Sequence, residues 1–303
     1  GILHVEEIVA LAKESAMDAI ALTDKSNLYG VHDFIYHCNK NKIKPIIGAD
    51  LAEENENLIA LVKSEEGFSN LTKIISQIIA FREKDDGERN ADEVLILEII
   101  ENSKGLIILS GNKHYLEKLQ KEKIDLYAMI KPKTQLIADY AEKNNIPLIA
   151  TGDVLVKSKD DMFLHRVLKA IKEKTTLSEI KTSHIKRDGD VFFSNKTAEK
   201  IFGGYGTAIK NTAIVAKKCT FNSIFKGFIF PSFVTDASKE KAILRKLSYE
   251  GAEKRYGELS ESVIDRLDYE LSITEEKGFT PYFLVVSNIV KKASRTCGRG
   301  SAA

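Results

Sequence analysis

No charge of one sign dominates this chain. Its 303 residues carry 45 lysines and arginines against 44 aspartates and glutamates, a formal net charge of +1. That balance excludes a protein that grips nucleic acid by a general polycationic surface, while leaving room for a local basic groove. Cysteine is scarce as well. Cys38, Cys219 and Cys297 lie far apart with no CxxC or Cys/His spacing, so they read as reduced thiols of a cytosolic protein and exclude a disulfide scaffold. Long apolar runs are missing: nothing approaches the roughly 18 to 20 apolar residues of a membrane span. The opening stretch "GILHVEEIVALAKES" is an amphipathic helix interrupted by charges, which excludes a signal peptide. Clustered histidine is also lacking. His4, His32, His37, His114, His165 and His184 are scattered, and His32 and His37 stand five apart, off the i, i+4 spacing of a helical zinc pair. His165, inside "MFLHRVL", reads as a buried, hydrogen-bonded side chain. No Ser/His/Asp or Cys/His nucleophile arrangement is present.

What is present begins with six short apolar runs: "AIALTD" (19–24), "KPIIGADL" (44–51), "NLIALVKS" (57–64), "GLIILSG" (105–111), "DLYAMIK" (125–131) and "PLIATGD" (147–153). Continuous apolar character of this kind suits strands covered on both faces. Between them "VHDFIYHCNKNKI", "EEGFSNLTKIISQIIAF", "KHYLEKLQKEK" and "PKTQLIADYAEKNN" show helical spacing. The acidic link "AEENEN" is too short for a crossover and predicts a hairpin within a mostly parallel sheet. The repeated strand–helix units predict an α/β sheet or barrel. After residue 157 the pattern turns helical. Ser158 and Ser194 are candidate N-caps, "GTAIKNTAIVAKKCT" follows, and the irregular "FKGFIFPSFVTDAS" (225–238) is the candidate domain boundary. Three more helical patterns lie beyond it, ending in "YFLVVSNIVKKASR".

Three acids close predicted strands: Asp24, Asp50 and Asp153. That edge is where α/β folds build sites, so the set admits a metal-binding reading. Hydrolytic metals want imidazoles beside carboxylates, yet Asp24 is followed by Lys25, and Leu155 stands two residues after Asp153. The other reading is that these acids cap turns or form ion pairs with Lys25. At the far end, Lys291, Lys292 and Arg295 form a basic helix end that runs into "TCGRGSAA". Backbone N–H groups around Gly298 and Gly300, the Arg299 guanidinium and the Ser301 hydroxyl could cradle a phosphate. A solvated helix end and a surface turn are the alternatives.

Taken in order, "AIALTDKSNLYGVHDFIYHCNKNKIKPIIGADL", "NLIALVKSEEGFSNLTKIIS", "PLIATGDV", "RLDYELSITEEKGFTPYFLVVSNIV" and "GRGSAA" resemble the bacterial C family of replicative DNA polymerases, the DNA polymerase III alpha subunits. The resemblance spans nearly the whole chain. It implies an α/β fold, a distorted (β/α)7 barrel of the polymerase-and-histidinol-phosphatase (PHP) type over 1–224. Residues 225–303 would then be a linker and a mostly helical segment opening the polymerase palm. A first strand bearing a His-x-His pair is expected to precede residue 1. Carried over by position, Asp24 matches a family metal-site aspartate, Lys25 and Leu155 replace histidines, Asp50 replaces a glutamate, and Asp153 is kept. The resemblance therefore implies a metal-free, structural PHP domain. Gly298, Arg299, Gly300 and Ser301 match a palm loop that contacts the triphosphate, with Thr296 and Cys297 in place of glycine and proline. The stretch before this loop is shorter than the family pattern, so that either the loop is unusual or residues are missing between Ala293 and Gly298. Lys291, Lys292 and Arg295 would give electrostatic support to DNA. The catalytic aspartates that hold Mg2+ would lie beyond the loop, so the 303 residues alone are expected neither to polymerise nor to hold a metal. The implied partners are primer–template DNA, deoxynucleoside triphosphates, a sliding clamp, other replicase subunits and a proofreading exonuclease docked on the PHP domain, in the cytoplasm and away from membranes. Two further readings stay open: a PHP-type metal-dependent phosphoesterase, and a non-catalytic docking module.

Overall fold

The computed structural model describes residues 2–52, 57–84, 90–131, 135–152, 154–180, 191–224, 231–234, 236–295 and 297. The chain divides into two units, Gly1–Ile224 and Phe225–Ala303.

The first unit is built on a six-stranded sheet whose order in space is its order in sequence. Its strands are β1 (Ala19–Lys25), β2 (Lys44–Asp50), β3 (Leu58–Val62), β4 (Leu106–Ser110), β5 (Leu126–Ile130) and β6 (Leu148–Ala150). All neighbours are parallel except at β3, which runs antiparallel to both β2 and β4. The hairpin expected from the short acidic link accounts for that reversal. The helices are α1 (Val5–Glu14), α2 (Val31–Asn41), α3 (Glu65–Lys84), α4 (Ala91–Asn102), α5 (Lys113–Leu119), α6 (Gln135–Lys143), α7 (Met162–Lys172), α8 (Asn195–Ile201) and α9 (Gly206–Lys218). Helix α4 is not among the sequence expectations. Its apolar residues run together in "VLILEII", and it buries Leu95, Ile96 and Ile99 while leaving Leu97 exposed.

Strand alternation sorts the apolar side chains into two cores. Ile47, Ala49, Leu58, Ala60, Leu106, Ile108, Ala128 and Ile130 face the layer made by α1 to α6. Ile46, Ile59, Leu61, Ile107, Leu109, Tyr127, Met129 and Ile149 face the other way and meet Val215 and Cys219, at and just after the end of α9. The two sets explain why the strands read as continuous apolar runs. Gly48 belongs to the second face, and a Cβ there would lie 2.5 Å from the Ala60 carbonyl oxygen. Glycine therefore lets β2 and β3 close up just before Asp50. The segment before α1 meets the chain after β6 through Ile2 N–H donating to the Leu155 carbonyl at 2.9 Å. The cap expected at Ser158 is a different device. A short 3-10 turn (Lys159–Asp161) intervenes, and the Asp161 carboxylate accepts from both the N–H and hydroxyl of Ser158. The Ser194 cap forms as expected, accepting from Thr197 N–H.

Helix α9 is fastened across the second face at the end of the sheet where β5 begins. Asp125 accepts from Lys63 at 3.0 Å and from Lys218 at 3.0 Å. Lys218 also donates to the Tyr127 hydroxyl at 3.1 Å. Thr220 then donates twice, through N–H and hydroxyl, to the Lys63 carbonyl. Partial burial pushes the Asp125 carboxyl up, but the hydrogen bonds from Lys218 and Lys63 and the charges of both ammonium groups outweigh it and hold the pKa below its ordinary value of 3.8.

The second unit is helical: α10 (Ala237–Tyr256), α11 (Glu261–Glu276) and α12 (Thr280–Lys292). Asp236 caps α10 by accepting from Ser238 N–H. The buried Glu240 carboxylate takes the N–H groups of Phe233 and Val234 at 2.6 and 2.9 Å, tying the preceding chain to the first turn of α10. Arg245 and Tyr249 on α10 both donate to Asp268 on α11 at 2.6 Å. Gly257 and Gly278, both at φ +74°, end α10 and α11 in a conformation that other residues adopt at a cost.

The shared carboxylate of Asp125 yields a test. Asp125→Asn should lower unfolding stability at pH 7 by about 2 kcal/mol, the range for hydrogen bonds to charged groups. Because the folded pKa is depressed, this contribution is complete above the ordinary value and disappears as pH falls through the lower folded one. The difference between wild type and variant in urea titrations should therefore stay constant from pH 7 to 5 and close below about pH 4. An undiminished difference at pH 3 would contradict it.

Candidate functional site

The side-chain period of a strand decides which residues can meet where β1, β2 and β5 end. In the parallel register Lys25 pairs with Asp50, and Asp24 with Ala49. Lys25 and Asp50 thus leave the sheet on the α9 face, together with Ile46. Asp24 leaves on the opposite face, where it is exposed beside Leu22 and the start of α2. A joint Asp24–Asp50 ligand set is therefore not assembled, because one residue of offset in a strand reverses the face. Asp153 lies outside the described residues. Leu155, half-buried, follows β6 and engages Ile2 through its carbonyl.

Lys25 and Asp50 come together instead. Asp50 is 7% exposed, so its carboxylate must be satisfied by the protein. Its Oδ1 accepts from Leu58 N–H at 3.2 Å. Its Oδ2 accepts from Asn57 Nδ2 at 3.3 Å and lies 3.4 Å from the Lys25 ammonium. Asn57 extends the chain of contacts: its Oδ1 accepts from Lys131 Nζ, just after β5, and its carbonyl accepts from the Ser110 hydroxyl at 3.0 Å, at the end of β4. One carboxylate and one amide thereby connect the ends of five neighbouring strands, β1 to β5. Ser26, in the left-handed region at φ +48°, turns the chain so that its N–H reaches the Asp50 carbonyl at 2.9 Å. Its hydroxyl accepts from Arg82 near the end of α3 at 3.4 Å.

The chemistry of this cluster is that of a charge clamp. Of the three strand-end acids named from the sequence, Asp50 forms the ion pair with Lys25 that was the alternative to a metal-site reading, and Lys131 and Arg82 join the same cluster. Among the described residues no three His, Cys, Asp or Glu side chains gather as ligands for a metal ion. His32 is exposed on α2, and His165 is buried in α7. Asn57, Lys131 and Arg82 do not stand out in the sequence. The signal for the first two is parity: Asn57 and Lys131 are in step with the α9-facing residues of β3 and β5, as Lys25 and Asp50 are in β1 and β2.

In the second unit, Lys291 and Lys292 occupy the last turn of α12, and Arg295 follows it; all three are exposed. Cations there complement the helix dipole as well as offering themselves to a ligand. Gly298, Arg299, Gly300 and Ser301 lie outside the described residues, as does Thr296, while Cys297 is exposed.

Comparison with known proteins follows the division of the chain. Residues 1–183 match the PHP domain family model, and residues 242–303 match that of the bacterial DNA polymerase III alpha NTPase domain. Similar curated proteins include the DNA polymerase III subunit alpha of Halalkalibacterium halodurans, 29% identical over 99% of this chain and 29% of the relative. The DNA polymerase III subunit alpha of Pseudomonas fluorescens is 27% identical over 100% of this chain and 30% of the relative. The error-prone DNA polymerase of Symbiobacterium thermophilum is 27% identical over 100% and 32%. The chain thus spans about a third or less of the length of these relatives. With a PHP model matched over more than half of its residues and an α/β sheet to carry it, this chain belongs to the PHP domain family.

Proposed function

We propose that this chain forms part of a DNA-directed DNA polymerase of the bacterial chromosomal replicase, to which it supplies a non-hydrolytic, structural PHP unit and the opening helices of the palm. The observation that carries the polymerase reading is the order of the matches: a PHP domain, then the polymerase III alpha model, with polymerase relatives similar across both. In the intact enzyme, Mg2+ would supply the Lewis acidity for nucleotidyl transfer. This chain's part would be to position phosphates, through Gly298, Arg299, Gly300 and Ser301 for the triphosphate and through Lys291, Lys292 and Arg295 for DNA. Primer–template DNA, the sliding clamp, other replicase subunits and an exonuclease on the PHP unit belong to the same proposal, as does a cytoplasmic setting. No helix among the described residues is long and apolar enough to cross a membrane.

The structural role of the PHP unit is supported by the Lys25–Asp50 contact. A divalent cation needs carboxylate lone pairs directed at it. Here the Asp50 carboxylate meets an amide N–H, a side-chain amide and an ammonium group, which does not suit such an ion. Dialysis of the chain against Zn2+ or Mn2+ is therefore expected to leave no stoichiometric metal, and Mn2+ should not induce hydrolysis of p-nitrophenyl phosphate. Stoichiometric metal with hydrolysis would establish the phosphoesterase reading in its place.

A structural clamp also has a stability signature. Asp50→Ala should destabilise the chain by about 3 kcal/mol, since it strands buried donors and a lysine. Lys25→Met should cost no more than about 1 kcal/mol, because the Lys25 side chain is 47% exposed. Urea unfolding measures both, and equal losses would contradict the ranking.

A further inference from the structure

Helix α12 carries apolar side chains on two sides. It packs on α10 and buries Thr280 and Leu284. Phe283, Val286, Ile289 and Val290 are nevertheless 39 to 63% exposed. At about 100° per residue these four fall within an arc of about 120°, with Leu284 nearly opposite its centre. Between Pro281 and Val290 the strongly polar side chains are Ser287 and Asn288 alone. A surface helix keeps one apolar stripe and turns a polar face to water, whereas a helix that is apolar on two sides belongs in an interior. The second stripe of α12 leaves roughly 350 Å2 of side chain uncovered, a size at which an apolar patch is often a contact surface.

We propose that this stripe is an interior surface of the polymerase unit, covered in the intact protein by polypeptide that follows residue 303. Polymerase relatives match 99 to 100% of this chain, yet those matches take up only 29 to 32% of their length, so proteins of this kind hold ample further chain. A segment leaving from near the end of α12 has a high effective concentration at the stripe and loses no entropy of association between separate molecules. A second copy is disfavoured by area. Two stripes face to face would bury about 700 Å2, below the roughly 1,200 Å2 at which stable interfaces between separate chains begin. The stripe also runs into Lys291 and Lys292, so a parallel pair of helices would bring like charges together. The inference rests on the polymerase reading and adds a packing surface to it.

The test compares one double variant, Phe283→Gln with Ile289→Gln, in the 303-residue chain and in the intact protein. Glutamine suits an exposed helix position, so the 303-residue chain should melt within about 1 °C of its wild type. In the intact protein the same change removes buried apolar contacts and should lower the melting temperature by about 5 °C or more. Asn288→Ala, on the opposite side of α12, should change neither. Thiol labelling of Ile289→Cys, read by peptide mass, gives the answer even where the double variant fails to fold. Its rate should fall at least about a hundredfold from the 303-residue chain to the intact protein. Equal labelling in the two would overturn the proposal. So would a 303-residue chain that sediments as a dimer and becomes a monomer in the double variant, which would assign the stripe to a second copy. Primer extension by the intact protein is measured alongside. Extension without protection of residue 289 overturns the inference and leaves the polymerase reading, whereas protection without extension supports the inference and overturns that reading.

Discussion

The Asp50 carboxylate is almost buried at the edge of a sheet, and a buried carboxylate must either be given partners or lose its charge. The partners it has are the Leu58 N–H, the Asn57 amide and the Lys25 ammonium. Two come from adjacent residues at the start of β3 and one from the end of β1, so satisfying this one group also ties together the ends of β1, β2 and β3. Asn57 carries the constraint onward to Lys131 and Ser110. The Lys25 ammonium, tethered to β1, brings positive charge to within 3.4 Å of this carboxylate.

The opposite end of the sheet uses the same physics. Asp125 is shared between Lys63 and Lys218, and with Thr220 this holds α9 over the second apolar face. The two acid–lysine clusters thus close both ends of one core, at the edges where strand ends and solvent meet. A chain with nearly equal numbers of acids and bases can place lysines inside such pairs.

Much of this fold was legible in the sequence. All six strands announce themselves as continuous apolar runs because both faces of the sheet are covered, and "AEENEN" announces the reversal because it is too short for a crossover. Helix α4 was not legible: its apolar residues are adjacent rather than spaced, and its periodicity is correspondingly faint. Ser158 offered a hydroxyl at a helix start, but Asp161 lies closer to the first turn and its charged acceptor takes the serine's donors. The site was only half legible. Composition and the resemblance direct attention to Asp24, Lys25, Asp50 and Asp153, but which of them meet depends on a register that fixes faces only after the strands pair. Asn57 and Lys131 draw attention only once that register is known.

We propose that lysine and amide groups, rather than a metal ion, satisfy the charge at these strand ends. Thermal unfolding of the chain in a chelator, compared with unfolding in excess Zn2+ or Mn2+, tests it most directly, since any ion bound to the folded state alone raises the melting temperature by mass action. The account predicts the same melting temperature in all three conditions. A melting temperature that falls on chelation and recovers with added metal would contradict it.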